Sequence, residues 1–230
     1  HEQAKGGQIS MEGETREMTV MFSDVRGFTT VSEKLDAKEL SELMNLFLTK
    51  QTGVIQKYRG TIDKYMGDAV MAFWGAPLPD EQHALHGVLA GMEMIAAVRE
   101  LDEEFAKRGW PPLYIGVGLN TGKMSVGNMG SEFRRAYTVM GDAVNLGSRV
   151  EGQTKEYGVA IIVTENTRNL LPSDWAFREL DLIKVKGKNE PVAIYEPLGP
   201  KEQLDPDLRT DLARHRGANN VAASRTGAAR

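Results

Sequence analysis

Two aspartates carry the clearest chemical signal in this sequence of 230 residues. Asp24 lies in the apolar stretch 19–29, and Asp68 follows a second strand-like stretch that begins at Lys64. A carboxylate inside an apolar strand costs several kcal/mol unless a cation meets it. Because the chain has no cysteine and only four histidines, these residues favour a hard divalent cation, Mg²⁺ or Mn²⁺, held by oxygen ligands. Taken singly, Asp24 could instead cap a helix and Asp68 could sit in a hairpin turn.

The elements that must position these aspartates follow from the apolar periodicity of the first half of the chain. Asp36 and Glu39 have the spacing of a capping box and predict the start of a helix that ends at Gly60. The predicted elements, in chain order, are a strand at 18–22, a helix at 36–60, strands at 61–65 and 69–74, a helix at 80–109 that Asp80 caps, and a strand at 113–119. This β-α-β-β-α-β order is typical of a split βαβ, or ferredoxin-like, core.

The second half of the chain adds shorter elements to this core. They are strands at 124–126 and 136–140, a helix at 141–157, a strand at 160–163, a helix at 164–170, and strands at 177–185 and 192–196. We therefore expect an α+β fold, with a ferredoxin-like βαββαβ core, an added C-terminal αβαββ subdomain and a mostly antiparallel sheet.

The composition excludes several classes of function. The formal net charge of −4 gives no support to nucleic-acid binding, and we expect no nucleic-acid partner; the lack of cysteine excludes disulfides and thiolate metal sites. The longest apolar run, residues 69–76, is too short to span a membrane, so we expect no membrane contact by this fragment. Because the chain begins with His1, we expect a cytoplasmic fragment, or the cytoplasmic domain of a membrane-anchored protein, with sensor or membrane segments upstream.

Three motifs stand out along the chain, FSDVRGFT, KYMGDAVMAFWG and YTVMGDAVNLGSRVE. In content and order they resemble motifs of the class III nucleotidyl cyclases, specifically the bacterial adenylyl cyclase catalytic domain. The resemblance runs from about residue 18 to residue 196. It implies conversion of ATP to cyclic AMP and pyrophosphate by a dimer with a ferredoxin-like core. We accordingly expect a linker or expression remnant at 1–17, the catalytic domain at 18–198 and a disordered tail at 199–230.

The resemblance also implies roles for residues around the first two motifs. Asp24, Asp68 and the backbone carbonyl of Val25 match the ligands of two Mg²⁺ or Mn²⁺ ions per active site. Such a pair of ions activates the attacking ribose hydroxyl and shields the leaving pyrophosphate. The turn that enters a helix after Val25 offers backbone N–H groups to phosphate oxygens. Its residues are Arg26, Gly27, Phe28 and Thr29.

Asn145 and Arg149 match the catalytic residues of the family in the third motif. They lie four residues apart in the predicted helix 141–157 and therefore share one face. The resemblance implies that Asn145 orients the ribose and that Arg149 stabilises the charge on the phosphate in the transition state. Lys186, in the predicted hairpin between the last two strands, resembles a lysine that contacts the triphosphate.

Lys64 and Thr138 match the positions that select the base in the family. A lysine can donate to N1 of adenine, and a hydroxyl can accept from its N6 amine. The pair therefore points to ATP, and it resembles the subgroup that contains bicarbonate-responsive cyclases. Many adenylyl cyclases carry an aspartate where this chain has Thr138.

The resemblance implies a homodimer with two composite sites. It implies that each site takes the metal aspartates and Lys64 from one subunit, and Thr138 with the Asn145 and Arg149 pair from the other. A catalytically silent module that senses nucleotide or bicarbonate and a guanylyl cyclase are the alternatives. A diguanylate cyclase would require a Gly-Gly-[Asp/Glu]-Glu-Phe turn, which the sequence lacks.

Overall fold

The computed structural model of the protein describes residues 13–210. Most of the predicted linker, residues 1–12, and most of the predicted tail, residues 211–230, lie outside this range. The strands within it are β1 (Glu14–Val25), β2 (Thr61–Met66), β3 (Ala69–Trp74), β4 (Ile115–Gly130), β5 (Arg135–Met140), β6 (Ile161–Thr164), β7 (Trp175–Ile183) and β8 (Val192–Pro200). The helices are α1 (Phe28–Glu33), α2 (Ala37–Lys57), α3 (His83–Glu100), α4 (Asp102–Lys107), α5 (Asp142–Tyr157) and α6 (Glu165–Arg168), and a 3₁₀ turn follows at Lys201–Gln203.

The sheet confirms the predicted fold class. Its strands are ordered β2-β3-β1-β4-β6-β8-β7, and β5 pairs with the C-terminal part of β4. The first four strands have the order expected of a ferredoxin-like core, and their pairings are antiparallel. The pairing of β4 with β6 is parallel, and it attaches the C-terminal strands to the core.

The helix predicted from Asp36 is confirmed. Asp36 Oδ1 accepts the N–H of Glu39 at 2.8 Å, and Glu39 Oε2 accepts the N–H of Asp36 at 3.2 Å. The resulting α2 buries one apolar face, which includes Leu43 and Phe47. This face packs with α3 against the sheet, where Trp74 is also fully buried.

Several boundaries differ from the sequence prediction. β1 begins at Glu14 rather than at residue 18, because β4 pairs with it over its whole length and satisfies its backbone groups. For the same reason the two strands predicted within 113–126 are one continuous β4. The residues 199–203 assigned to the tail belong to the end of β8 and the 3₁₀ turn.

Asp80 does not cap the second long helix as predicted. Its Oδ1 accepts the N–H of Gln82 at 2.9 Å and its Oδ2 lies 2.6 Å from Nδ1 of His86, so it closes the loop before α3. The N-cap is Gln82, and the predicted helix divides into α3 and α4 at Leu101. Within residues 13–210, no helix combines the length and the apolar character needed to cross a membrane.

Helix α5 packs on the opposite face of the sheet from α2 and α3. A Cβ atom at Gly118 of β4 would lie 2.3 Å from the backbone nitrogen of Glu151, so the helix approaches the strand more closely than a side chain would allow. Gly147 on the helix likewise lies against Val20 and Phe22 of β1. This close packing holds α5 over the end of β1 that carries Asp24.

Candidate active site

The structure brings Asp24 and Asp68 together. Asp24 is the penultimate residue of β1, and Asp68 lies in the turn between β2 and β3. The N–H of Val25 donates to Asp68 Oδ2 at 2.9 Å, which ties the hairpin turn to the end of β1. The predicted use of the Val25 carbonyl as a metal ligand stays a prediction, and so do the metal roles of both aspartates.

The electrostatics of this pair fit a bound cation. Burial raises the pKa of Asp24 above its ordinary value; the positive charge of Lys155 opposes this rise, and the negative charge of Asp68 adds to it. Asp24 Oδ1 is buried and has no hydrogen-bond partner among the described residues. The carboxylates of Asp24, with its unpaired oxygen, and of Asp68 are therefore suitable ligands for Mg²⁺ or Mn²⁺. In the part of the chain that the structure describes, no three acidic or histidine side chains form a metal cluster, so further ligands would be backbone, water or phosphate oxygens.

A third carboxylate near this pair was not predicted. Glu151, on α5, is 9% exposed, and its Oε1 is buried without a hydrogen-bond partner among residues 13–210. Burial, followed by the charge of Asp24, raises the pKa of Glu151 to about 7. The sequence contains a signal for this placement, because Glu151 shares the buried stripe of α5 with Val144, Gly147 and Thr154 at spacings of three and four residues.

The turn after Val25 is used differently from the prediction at Arg26. The N–H of Arg26 donates to the Tyr114 carbonyl at 2.8 Å, so this N–H is not free for a phosphate. The Arg26 guanidinium donates to the backbone carbonyls of Thr154 and Val159 at the end of α5. Arg26 therefore fixes this end of α5 to the site.

The other three residues of the turn remain candidates for phosphate binding. Gly27 adopts the left-handed conformation, with φ of 62°, and precedes α1. Phe28 packs its ring against the core, and Thr29 is exposed. Their phosphate contacts stay predictions.

Asn145 and Arg149 lie on the exposed side of α5, away from its buried stripe. Within residues 13–210, no hydrogen bond or salt bridge connects either residue to Asp24 or Asp68. The Arg149 guanidinium instead donates to the backbone carbonyl of Lys184. Within residues 13–210 of one chain, Asn145 and Arg149 are therefore not bonded to the two carboxylates.

Lys186 is exposed in the loop between β7 and β8. This loop also contains Lys184, whose carbonyl holds Arg149, so the loop lies beside the exposed face of α5. The predicted contact of Lys186 with a triphosphate stays a prediction.

Thr138 and Lys64 are brought close together through Asp63. Thr138 Oγ1 donates to Asp63 Oδ2 at 2.5 Å, and Lys64 Nζ lies 3.6 Å from Asp63 Oδ1. Strand β5 reaches this position because it folds over the hairpin of β2 and β3, where the rings of Phe73 and Tyr137 lie 6.2 Å apart. Asp63 was not predicted as a site residue.

This contact corrects the predicted division of the site between subunits. We expected Lys64 from one subunit and Thr138 from the other, but the structure holds both beside the same carboxylate of one chain. The physical reason is the fold of β5 back across β3, which the sequence pattern of either strand alone does not encode.

The sequence matches known proteins over this same region. The family model described as "Adenylate and Guanylate cyclase catalytic domain" matches residues 11–196. The adenylate cyclase of Anabaena cylindrica is 39% identical over 186 residues, which cover 79% of this chain and 37% of that protein. Adenylate cyclase 1 of Rhizobium meliloti is 32% identical over 184 residues, which cover 80% of this chain and 28% of that protein. The match thus covers between about a quarter and two fifths of the length of these relatives.

Two solved structures have a similar fold over most of the chain. The guanylyl cyclase Cya2 has a TM-score of 0.76 and 36% sequence identity, and the match covers 85% of this chain and 98% of that one. The adenylyl cyclase CyaB from P. aeruginosa has the same TM-score and identity, with 84% of this chain and 100% of that chain covered.

Proposed function

The chain belongs to the family of adenylate and guanylate cyclase catalytic domains, and from this premise we propose that it is an adenylyl cyclase. It converts ATP to 3′,5′-cyclic AMP and pyrophosphate and is therefore a phosphorus–oxygen lyase. The observation that carries the proposal is the meeting of Asp24 and Asp68 at the end of β1, with a buried Asp24 oxygen that lacks a partner among the described residues. The pair is suited to hold the cations of a triphosphate substrate.

The reaction closes a ring on the nucleotide. The ribose 3′-hydroxyl releases its proton to solvent, its oxygen forms a bond to the α-phosphorus, the bond from that phosphorus to the bridging oxygen of the β-phosphate breaks, and pyrophosphate leaves. When bound, two Mg²⁺ or Mn²⁺ ions would lower the pKa of the 3′-hydroxyl and neutralise charge on the triphosphate. Asp24, Asp68 and the Val25 carbonyl are the groups of this chain that would hold them.

The remaining predicted residues position the substrate and stabilise the charge that develops on it. Arg149 donates to the α-phosphate oxygens after leaving the Lys184 carbonyl, and Asn145 orients the ribose. Lys186 neutralises part of the triphosphate charge. The backbone N–H groups of Gly27, Phe28 and Thr29 contact its oxygens.

The choice of base rests on this chain's own residues, because the similar structures include both an adenylyl and a guanylyl cyclase. The Lys64 ammonium can donate to N1 of adenine, and the Thr138 oxygen can accept from its N6 amine. Guanine presents the reverse pattern, a donor at N1 and an acceptor at O6. The pair therefore favours ATP over GTP.

We propose that the active form is a homodimer with two composite sites. Within residues 13–210 of one chain, no hydrogen bond or salt bridge joins Asn145 or Arg149 to the two aspartates, and Arg149 is exposed. This supports the arrangement, since a second copy can place its Arg149 over the first copy's carboxylates. Mixing Asp68→Ala chains with Arg149→Ala chains tests it. Each variant alone should be inactive, whereas the mixture should recover up to about a quarter of the wild-type activity through sites that carry neither change. Activity of the wild-type protein as a monomer would contradict the shared site.

A product assay tests the chemistry directly. The purified protein is incubated with ATP or GTP and with Mg²⁺ or Mn²⁺, and the product is identified by mass. Asp68→Asn should lower activity by about a hundredfold or more, because the cations supply several kcal/mol of transition-state stabilisation. Asp36→Asn is the matched control, since it removes a carboxylate but keeps the helix cap.

Each outcome of this assay has a distinct meaning. Preferred use of GTP would make the protein a guanylyl cyclase. Nucleotide binding with no product would make it the silent sensing module.

We place the domain in the cytoplasm, where ATP and Mg²⁺ are available, and fractionation of cells that express the whole protein tests this location.

A further inference from the structure

Asp63 is a buried carboxylate on β2, next to Lys64 of the proposed base-binding pair. Its side chain is 1% exposed, whereas that of the adjacent Lys64 is 50% exposed. The register of β2 against β3 shifts between Ile62 and Lys64, so Asp63 is an extra residue in the pairing. Such a bulge breaks the regular alternation of side chains, and here the carboxylate of Asp63 and the ammonium of Lys64 come to lie 3.6 Å apart.

The hydrogen bond between Thr138 and Asp63 has a defined direction. A threonine hydroxyl carries one proton, and a carboxylate has none to give, so Thr138 Oγ1 must donate to Asp63 Oδ2 across their 2.5 Å separation. With its proton committed, the Thr138 oxygen can only accept a hydrogen bond from a ligand. Without the bond to Asp63, the threonine hydroxyl could either donate a hydrogen bond to a ligand or accept one from it.

We propose that Asp63 is a specificity-determining residue. By accepting the hydrogen bond of the Thr138 hydroxyl, it leaves the Thr138 oxygen as an acceptor for the N6 amine of adenine. This inference rests on the proposed adenylyl cyclase function. Guanine carries an acceptor, O6, at the corresponding position, so it meets the lone pairs of Thr138 and gains no hydrogen bond. Asp63 acts through Thr138 and is a positioning residue that does not itself touch the base.

The contact with Lys64 supports the same role. At 3.6 Å, the Lys64 ammonium is beyond ordinary hydrogen-bond distance of Asp63, so the carboxylate attracts it without using one of its N–H donors. Lys64 therefore keeps its donors for N1 of adenine. One buried carboxylate thus orders a donor and an acceptor in the pattern that matches the adenine edge.

Asp63→Asn is the test. The asparagine amide can donate to the Thr138 oxygen, which frees the hydroxyl proton to donate to O6 of guanine. We expect the ratio of kcat/KM for ATP to that for GTP to fall about tenfold, the value of one hydrogen bond. If Asp63 only held β5 against β2, both substrates would lose activity together and the ratio would not change.

Two further variants make the test specific. In a Thr138→Val background, Asp63→Asn should change the ratio by less than about twofold, because the hydroxyl that it acts through is gone. Asp181→Asn is the matched control, since Asp181 also accepts a hydroxyl, that of Tyr157, at the other end of the fold. It should leave the ratio unchanged.

The outcomes separate this inference from the proposed function. A wild-type protein that makes cyclic AMP, with an Asp63→Asn variant of unchanged ratio, would overturn the role of Asp63 alone. A wild-type protein that forms no cyclic AMP from ATP would overturn the proposed function. In that case, calorimetry measures the affinities for α,β-methylene ATP and α,β-methylene GTP. The ratio of the two affinities should still shift about tenfold with Asp63→Asn, and a ratio equal to that of the wild type would overturn the inference. If Asp63→Asn does not fold, Thr138→Val must lower the ratio about tenfold, and an unchanged ratio again overturns it.

Discussion

Replacing Glu151 with glutamine removes a negative charge from the neighbourhood of Asp24 while keeping the shape of the side chain. Glu151 lies on the buried stripe of α5, against Gly116 and Gly118 of β4, and its Oε1 has no hydrogen-bond partner among residues 13–210. Ionisation of this carboxyl therefore opposes folding. We expect Glu151→Gln to stabilise the cation-free protein at high pH and to have little effect at low pH.

The size and sign of this effect follow from the pKa of Glu151. Burial and the charge of Asp24 raise it from 4.5 in the unfolded chain to about 7 in the native protein. Between these two values the native state binds a proton that the unfolded state does not, so the stability of the wild type falls as the pH rises through this window. Each pKa unit corresponds to about 1.4 kcal/mol, which gives an upper limit of about 3 kcal/mol. Residual solvent access reduces this, and we expect a gain of about 1.5 kcal/mol above pH 7.

Urea denaturation in EDTA at pH 4 and at pH 8 measures the effect. The difference in unfolding free energy between Glu151→Gln and the wild type should be close to zero at pH 4, which lies below the pKa of 4.5 in the unfolded chain, and about 1.5 kcal/mol at pH 8. Glu156→Gln, on the exposed side of the same helix, is the control and should show no pH-dependent difference. Equal stability of Glu151→Gln and the wild type at pH 8 would refute the raised pKa and with it the electrostatic account of this site.

Two further substitutions test the packing and the capping that hold the site in place. Gly118→Ala should destabilise the protein by about 2–4 kcal/mol in thermal or urea unfolding, because its Cβ would lie 2.3 Å from the backbone nitrogen of Glu151. Gly152→Ala, on α5 with no atom within 4 Å of the added Cβ, is the control and should be neutral or stabilise by up to about 1 kcal/mol; equal losses from both changes would contradict the close helix packing. Asp36→Ala should cost about 1 kcal/mol through the lost capping box with Glu39, whereas Asp36→Asn should keep most of that stability. An Asp36→Ala variant as stable as the wild type would mean that the cap contributes nothing to α2.

Local sequence patterns predicted the elements whose signals lie within a few residues. The capping box at Asp36 placed the start of α2 to within one residue, and the apolar periodicity after it placed the end to within three, because both signals depend on neighbours three or four positions away. The hairpin around Asp68 was predicted for the same reason. The long β4 was not, because its continuity depends on pairing with β1, about 100 residues earlier in the chain.

The site divides in the same way. The sequence by itself determined the family, and it singled out the two aspartates and the Asn145 and Arg149 pair as candidate site residues, since they occur in motifs of recognisable order. Only the tertiary structure decided that Asp63 accepts a hydrogen bond from the hydroxyl of Thr138, 75 residues away, and that Glu151 lies buried beside Asp24. Which polar groups meet in a folded core depends on a strand bulge, the path of β5 and the distance between α5 and β4. These are properties of the packed whole, because burial strengthens charge and hydrogen-bond interactions only where distant segments exclude water together.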